Sequence, residues 1–287
     1  MNCSCGHDET QHDGACTPCL CPGFTDDQTL VPTLMNGRWN LRLPPHRAYR
    51  REWTTPPYWE PERIAAMSEV IGPGDVVYDI GSEEGEFGAL AALWGADVVC
   101  VEPNPKAWPN TRVIYEENGL AERVRGWFVG FAGEELRERS AWWQEHVAGS
   151  GIPYHADMAR DGRAGRWPVC AYGPVIGAHA FCVLPERPDI PITTIDRLAE
   201  IHGPPTVLTM DCEGAEAIIL RGAHRTLTQH RPRVFLSVHT DEQWLREKFP
   251  DGTAEHLAEY MRGLGYYGKD LALDHELHQV WQHPEGR

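Results

Sequence analysis

Two acidic turns that contain glycine carry the side chains best suited to bind a ligand or to move a proton. The first is Asp79-Ile-Gly-Ser-Glu-Glu-Gly85, and the second is Asp211-Cys-Glu-Gly-Ala-Glu216. Each follows a short apolar run of the kind that forms a buried strand. Glycine lets the backbone turn sharply and approach a ligand closely. The pair therefore predicts a ligand-binding turn and a reaction-side turn at one edge of a sheet.

The first turn has a carboxylate partner at the end of the next predicted strand. That strand, Asp97 to Val101, ends at Glu102, which lies 23 positions after Asp79. A Rossmann-like unit places the carboxylate that binds a ribose diol at about this interval. An acid inside the turn repels pyrophosphate but suits the cationic sulfonium of S-adenosylmethionine. A turn of this kind is also typical of a purely structural connection between a strand and a helix. The position of Glu102 is the observation that favours a cofactor-binding turn over a structural one.

Further motifs follow in a fixed order along the chain. The motifs are Trp59-Glu60, Gly72-Pro-Gly-Asp75, Asp79-Ile-Gly81 with Gly85, Glu102-Pro-Asn-Pro105, Asn118-Gly119, Pro191-Ile-Thr-Thr-Ile-Asp196, and Asp211 to Glu216 with Leu220-Arg-Gly222. With this series, over roughly Trp59 to Glu216, the chain resembles the FkbM-type family of S-adenosylmethionine-dependent O-methyltransferases. Two positions depart from the family pattern, which usually has a lysine where this chain has Thr209 and an acid near Ser237.

The resemblance implies an α/β fold, a doubly wound Rossmann-like methyltransferase sheet with helices on both faces. We expect this domain over residues 59–287, with a substrate-loop insertion near 133–190, after a Pro/Arg-rich connector over residues 25–58. The expected S-adenosylmethionine-binding residues are Asp79, Gly81, Ser82, Glu83, Gly85, Glu102, Pro103, Asn104 and Val129.

Methyl transfer to a hydroxyl needs a group that removes the proton, and two residues follow predicted strand ends. His239 is the candidate general base, because imidazole titrates near neutral pH. Asp211 is its candidate partner, which would orient it or, with Glu213 or His239, hold a divalent ion. A turn-capping Asp211, a loop histidine at 239 and a structural Glu216 remain open alternatives.

The N-terminal segment concentrates soft metal ligands. Five of the nine cysteines and two histidines lie between Cys3 and Cys21. A segment this short buries too little apolar surface to fold alone, so we expect a structural Zn²⁺ module over residues 1–24. Disulfides are the alternative. The preferred ligands are Cys5, His12, Cys16 and Cys21, with Cys3, His7 and Cys19 as alternates.

Composition limits the partners of the chain. A net charge of −16 argues against broad nucleic-acid binding, which relies on clustered Lys and Arg. One local exception is the arginine-rich stretch between Arg38 and Arg51, interpreted as a partly ordered arm. No apolar run is long enough to span a membrane, so we expect a cytoplasmic protein without membrane contact. The oligomeric state is left open.

The expected acceptor is a small molecule or glycan, through a hydroxyl of a sugar or of a glycosylated natural product. Periodicity fades between residues 149 and 187, where long loops commonly recognise substrate. Two alternatives are a non-catalytic methyltransferase-fold adaptor that binds a protein partner through the zinc module, and a nucleotide- or nucleic-acid-modifying enzyme. The candidate recognition residues are Trp142, Trp143, Tyr154, Trp167, Tyr172 and His179.

The cysteine spacing predicts one tightly bound zinc in residues 1–24. Metal analysis of the purified protein should find one zinc per chain, and deletion of residues 1–24 should remove it because the soft ligands lie there. Cofactor affinity, measured by calorimetric titration, should stay the same in the shortened protein. A metal-free, disulfide-bonded full-length chain would contradict the prediction.

Overall fold

The described residues belong to two units that meet between Pro61 and Glu62. The units are Met1–Pro61 and Glu62–Arg287. The computed structural model describes residues 30–104, 107–137, 155–157, 190–239, 253–274 and 276–286, with 155–157 as backbone only. The predicted zinc ligands between Cys3 and Cys21 lie outside these residues.

A β-hairpin begins the described part of the smaller unit. Its turn contains Asn36 and Gly37, which both have positive φ values, 49° and 65°. An Asn-Gly pair accepts this geometry most readily, because Asn tolerates the left-handed region and Gly has no side chain. Every second residue of each strand is buried. The elements of this unit are β1 (Val31–Met35), β2 (Trp39–Leu43), α1 (Pro45–Ala48) and α2 (Arg51–Thr54).

This hairpin corrects the expectation of a connector and of a partly ordered arm. Two aromatic side chains anchor the arginine-rich stretch. Trp53 is fully buried, and the guanidinium of Arg38 lies 4.9 Å from the centre of the Trp39 ring. Arginine stems pack along apolar surface as readily as they reach into solvent. The high Pro and Arg content of this stretch therefore gave no indication of the hairpin and the two short helices that it forms.

Eight strands form one sheet in the larger unit. Their order is β11-β12-β10-β9-β3-β4-β5-β7, and the five strands from β10 to β5 run parallel. Antiparallel strands complete both edges. The strands are β3 (Val76–Ile80), β4 (Asp97–Val101), β5 (Val124–Phe128), β7 (His155–Asp157), β9 (Val207–Met210), β10 (Arg233–Val238), β11 (Tyr267–Leu273) and β12 (Leu277–Gln282). A separate parallel pair joins β6 (Phe131–Ala132) to β8 (Ile192–Thr193).

Helices flank this sheet, which confirms the predicted α/β methyltransferase fold. They are α3 (Pro61–Ser68), α4 (Glu86–Leu93), α5 (Trp108–Glu117), α6 (Ile195–His202), α7 (Glu216–Arg221), α8 (His224–Gln229) and α9 (Ala254–Gly263). The two C-terminal strands, β11 and β12, pair antiparallel. Within the described ranges, no helix has the length and apolarity needed to cross a bilayer.

The central strands are apolar on both faces, as a covered parallel sheet requires. All five residues of β3 and all four of β9 are buried. Asp196 then ties the following helices together. Its carboxylate accepts hydrogen bonds from the backbone N–H of Arg225 and from both the N–H and the hydroxyl of Thr226, at 2.7–3.0 Å. The last acid of the Pro191–Asp196 motif is therefore a helix-capping residue.

Candidate active site

Four neighbouring parallel strands end at the same edge of the sheet. The residues that follow them directly are Gly81 after β3, Glu102 after β4, Asp211 after β9 and His239 after β10. Their order along the edge is His239, Asp211, Gly81, Glu102, because the strand order is β10-β9-β3-β4. The carboxyl ends of such strands are where doubly wound sheets bind ligands. Both predicted turns and the predicted histidine therefore share one cleft edge.

Gly81 lies where the two turns come closest. Its φ is +76°, and a Cβ at this position would overlap the carbonyl oxygen of Asp211. Its N–H and that of Ser82 both donate to the carbonyl oxygen of Val101, at 2.9 and 3.1 Å. Gly85 also has a positive φ, +89°, and closes the turn through its N–H to the Ser82 carbonyl. The first turn thus contacts the end of β4 at Val101 and the turn after β9 at Asp211.

Glu102 is buried beside this turn with both carboxylate oxygens engaged. One oxygen accepts the N–H of Glu83 at 2.9 Å and the other accepts the N–H of Asn104 at 2.6 Å. Burial raises the pKa of Glu102 to about 8, although the two N–H groups act to lower it. Each oxygen keeps a further lone pair. The site therefore offers two acceptor positions 23 residues after Asp79, as the cofactor prediction requires.

Asp79 points at least one oxygen away from the cleft. Its Oδ2 accepts the N–H of Gly88 in the first turns of α4, at 2.9 Å. Burial raises the pKa of Asp79 to about 6, while the nearby Arg63 charge lowers it. Asp79 thus fixes the turn to the helix that follows. The expectation that it also lies beside a sulfonium stays a prediction.

Glu216 contacts both the second turn and the imidazole of His239. Glu216 is 1% exposed, and its Oε1 accepts the N–H groups of Cys212 and Gly214 at 3.2 and 3.3 Å. The same oxygen lies 3.0 Å from Nδ1 of His239. This oxygen is therefore an acceptor for three N–H groups, and Nδ1 of His239 carries a proton that it donates to the oxygen. The structural role considered for Glu216 is therefore to shape the turn and to orient the imidazole.

Three carboxylates surround the other ring nitrogen of His239. Nε2 lies 2.8 Å from Glu276, 3.4 Å from Asp211 and 3.7 Å from Glu213. Burial alone would lower the pKa of His239, but the carboxylates of Glu216, Glu276 and Asp211 outweigh it and raise the pKa to about 12. Unless a metal ion binds at Nε2, the ring is thus an imidazolium at neutral pH.

Arg63 supplies a buried positive charge on the other side of Asp211. Its guanidinium donates to the hydroxyls of Thr209 and Ser237, both at 2.7 Å, and lies 3.8 Å from the Asp211 carboxylate. The side chain is 1% exposed. Thr209 and Ser237 are the two positions that depart from the family pattern. The guanidinium bridges the two hydroxyls at these positions.

A protein-family profile matches most of the sequence. Residues 75–267 match the sequence profile of the methyltransferase FkbM domain, which is well over half of the chain. The chain belongs to the FkbM methyltransferase family. No curated protein sequence matches it.

Solved structures that resemble the FkbM chain are distant. Methyltransferase FkbM from Methylobacillus flagellatus KT is 18% identical, with a TM-score of 0.45, 72% of this chain covered and 43% of that one. This chain therefore spans less than half of that protein. Precorrin-6y C5,15-methyltransferase from Geobacter metallireducens GS-15 is 11% identical, with a TM-score of 0.42 and 78% and 88% covered. A putative rRNA methylase from Clostridium thermocellum is 10% identical, with a TM-score of 0.40 and 77% and 95% covered.

The structure also places the remaining predicted residues of the FkbM domain. Pro103 and Asn104 follow Glu102, and Val129 is fully buried directly behind β5. Pro105 and the six aromatic and histidine candidates of the 133–190 insertion lie outside the described residues. Sequence reasoning missed Glu276 and Arg63. Neither has a local signal, since Glu276 lies between two edge strands and Arg63 on an ordinary amphipathic helix.

The buried position of Arg63 predicts that Arg63→Met destabilises the protein. The substitution removes three hydrogen bonds from a charged donor, to the hydroxyls of Thr209 and Ser237 and to the Met210 carbonyl. The free energy of unfolding should therefore fall by at least about 1.5–3 kcal/mol in urea denaturation. Arg63→Lys should lie in between, because one ammonium does not span both hydroxyls. Arg112→Met is the control: Arg112 is 51% exposed, and its loss should change stability by less than about 0.5 kcal/mol. Equal stability of the Arg63→Met variant and wild type would contradict the assignment.

Proposed function

We propose that this protein is an S-adenosylmethionine-dependent O-methyltransferase. The observation that supports this most is the contact between the two turns across β3 and β9. The Gly81 turn lies beside Asp211, and Glu102 follows Gly81 along the same edge of the sheet. A donor bound at the first turn and an acceptor bound at the second would then be neighbours, and such positioning supplies a large part of the rate in a displacement reaction.

Chemically, the acceptor oxygen gains the methyl group while the carbon–sulfur bond breaks. The cofactor leaves as a neutral thioether, and the hydroxyl proton passes to a base. Both ring nitrogens of His239 face carboxylates, and its side chain is 8% exposed. Asp211 is 28% exposed and closer to the open side of the edge. We therefore propose Asp211 as the proton acceptor, with His239 as its cationic neighbour, which reverses the roles expected from the sequence.

The acceptor class that suits this edge is a molecule with several hydroxyls. The carboxylates of Asp211, Glu213 and Glu276 can only accept hydrogen bonds. A substrate with many O–H groups, each of which donates a hydrogen bond, therefore matches them. The net charge of −16 opposes a polyanion such as RNA. These two facts support a sugar, glycan or glycosylated natural product.

Cofactor binding should depend on pH through Glu102. A ribose diol donates to the ionised carboxylate and stabilises it, so binding lowers a pKa that starts near 8 in the free protein. Calorimetric affinity for S-adenosylmethionine should therefore rise from pH 6 to pH 8 and level off above. The Glu102→Gln variant has no titratable carboxyl group at this position. The difference between the pH profiles of wild type and the variant should therefore equal the contribution of Glu102.

Glu102→Ala should weaken binding by about 1.5–3 kcal/mol, the value of a hydrogen bond to a charged group. Asp97→Ala is the matched control at the opposite end of β4, where the side chain is 38% exposed, and should bind like wild type. A parallel pH profile in wild type and Glu102→Gln would remove Glu102 from the cofactor site.

The reaction itself is tested with a labelled methyl donor against glycans, glycosylated small molecules and RNA. We expect a methyl ether on a hydroxyl-rich acceptor. Asp211→Asn should slow turnover roughly 10²–10⁴-fold with cofactor affinity retained, as for loss of a general base. Methylated RNA would establish the nucleic-acid alternative. Cofactor binding without transfer to any acceptor would favour the adaptor.

A further inference from the structure

Three potential metal ligands meet beside the second turn. One ligand atom each from Asp211, His239 and Glu276 lies within 4.8 Å of the other two. The residues come from three separate places in the chain: the end of β9, the end of β10 and the connection between β11 and β12. Glu213 adds a carboxylate oxygen 3.7 Å from the same imidazole nitrogen. We call these four residues the acidic pocket.

A buried imidazole nitrogen aimed into this pocket makes no hydrogen bond. The His239 side chain is 8% exposed, and its Nε2 has no hydrogen-bond partner among the described residues. Glu276 Oε1 lies 2.8 Å away, yet the contact lacks the alignment of an N–H···O bond. A buried polar nitrogen in this state is costly unless something else binds it.

The opposite ring nitrogen explains why Nε2 is available as a ligand. Nδ1 lies 3.0 Å from Glu216 Oε1, which also accepts two backbone N–H groups. A carboxylate behind a histidine is the usual arrangement around protein-bound metals, because it fixes the tautomer and makes the other nitrogen a better donor of its lone pair. Glu216 provides such support from a fully buried position.

From this geometry we propose that the acidic pocket binds one divalent cation of the first transition row. Nε2 of His239 and the carboxylates of Asp211 and Glu276 are its ligands, and Glu213 is a fourth within reach. One imidazole with several carboxylates suits Mn²⁺, Fe²⁺ or Zn²⁺ better than Ca²⁺, which takes oxygen ligands. The three carboxylates around the imidazole supply negative charge for the cation, which would replace the proton on Nε2.

The proposed cation deepens the proposed function and rests on it for its role. A metal ion holds a hydroxyl oxygen and makes its proton more acidic. Bound here, it would hold the acceptor hydroxyl next to the Gly81 turn, and the proton would pass to the Asp211 oxygen that does not bind the cation. Binding of the cation itself requires neither cofactor nor acceptor.

Manganese is the probe that tests this site in the full-length protein. Mn²⁺ prefers oxygen and nitrogen ligands over thiolates, so the N-terminal cysteines interfere little. After removal of metals with a chelator, Mn²⁺ titration followed by electron paramagnetic resonance should show one site. Asp211→Asn, His239→Gln and Glu276→Gln should each weaken it at least tenfold. Glu216→Gln should weaken it about 10–100-fold through the orientation of the ring.

Two controls separate the pocket from general acidity and from misfolding. Glu259→Gln removes an exposed carboxylate on α9 and should leave Mn²⁺ affinity unchanged. Pulsed spectra of wild type should show coupling between the manganese and an imidazole nitrogen, a signature that needs no variant. Absence of a Mn²⁺ site, or of the nitrogen coupling, overturns the proposal.

The methyl-transfer assay distinguishes this proposal from the proposed function. Manganese binding without any methyl transfer would leave the metal site in place and reject the methyltransferase activity. Transfer that persists in chelator, in a protein that shows no Mn²⁺ site, would reject the metal and keep the activity. Transfer that is lost in chelator and restored by Mn²⁺ would support both.

Discussion

The parallel pairing of β3 with β9 is the constraint on which the rest of the site depends. Ile80 lies opposite Met210 in this pairing, although 130 positions separate them in the chain. The turns that follow must then share one small volume, and only a residue without a side chain fits at Gly81. The groups of the two turns are neighbours because of this register. A shift by one residue would turn every side chain of β9 to the opposite face of the sheet.

Asp211 stands between two cationic groups that reach it from different elements. Arg63 approaches within 3.8 Å from α3, and His239 within 3.4 Å from the end of β10. Electrostatic interactions are stronger in such a partly buried setting than in water. The acid at the cleft is therefore the central member of a charge array rather than an isolated group. Its surroundings differ from those of Glu102, whose partners are backbone N–H groups.

The sequence predicted those parts of the site that follow directly from a strand, and missed those that arrive by packing. Glu102 and Asp211 were found because an apolar run, a turn and an acid are contiguous. Glu276 reaches His239 only because β12 pairs with β10, and no local pattern encodes that neighbour. The role of His239 also depended on packing, since its basicity is set by carboxylates distant in sequence. The hairpin at Asn36-Gly37, in contrast, had a local signal that the arginines obscured.

Arg63, Thr209 and Ser237 form part of a continuous polar path through the sheet. Ser237 also contacts His278 at 3.0 Å, which in turn contacts Asp274 at 3.0 Å. Loss of either hydroxyl would leave one end of the buried Arg63 guanidinium without its acceptor. A substitution at any one of the three positions therefore changes the surroundings of the other two, and the three side chains form one structural unit across β9, β10 and α3.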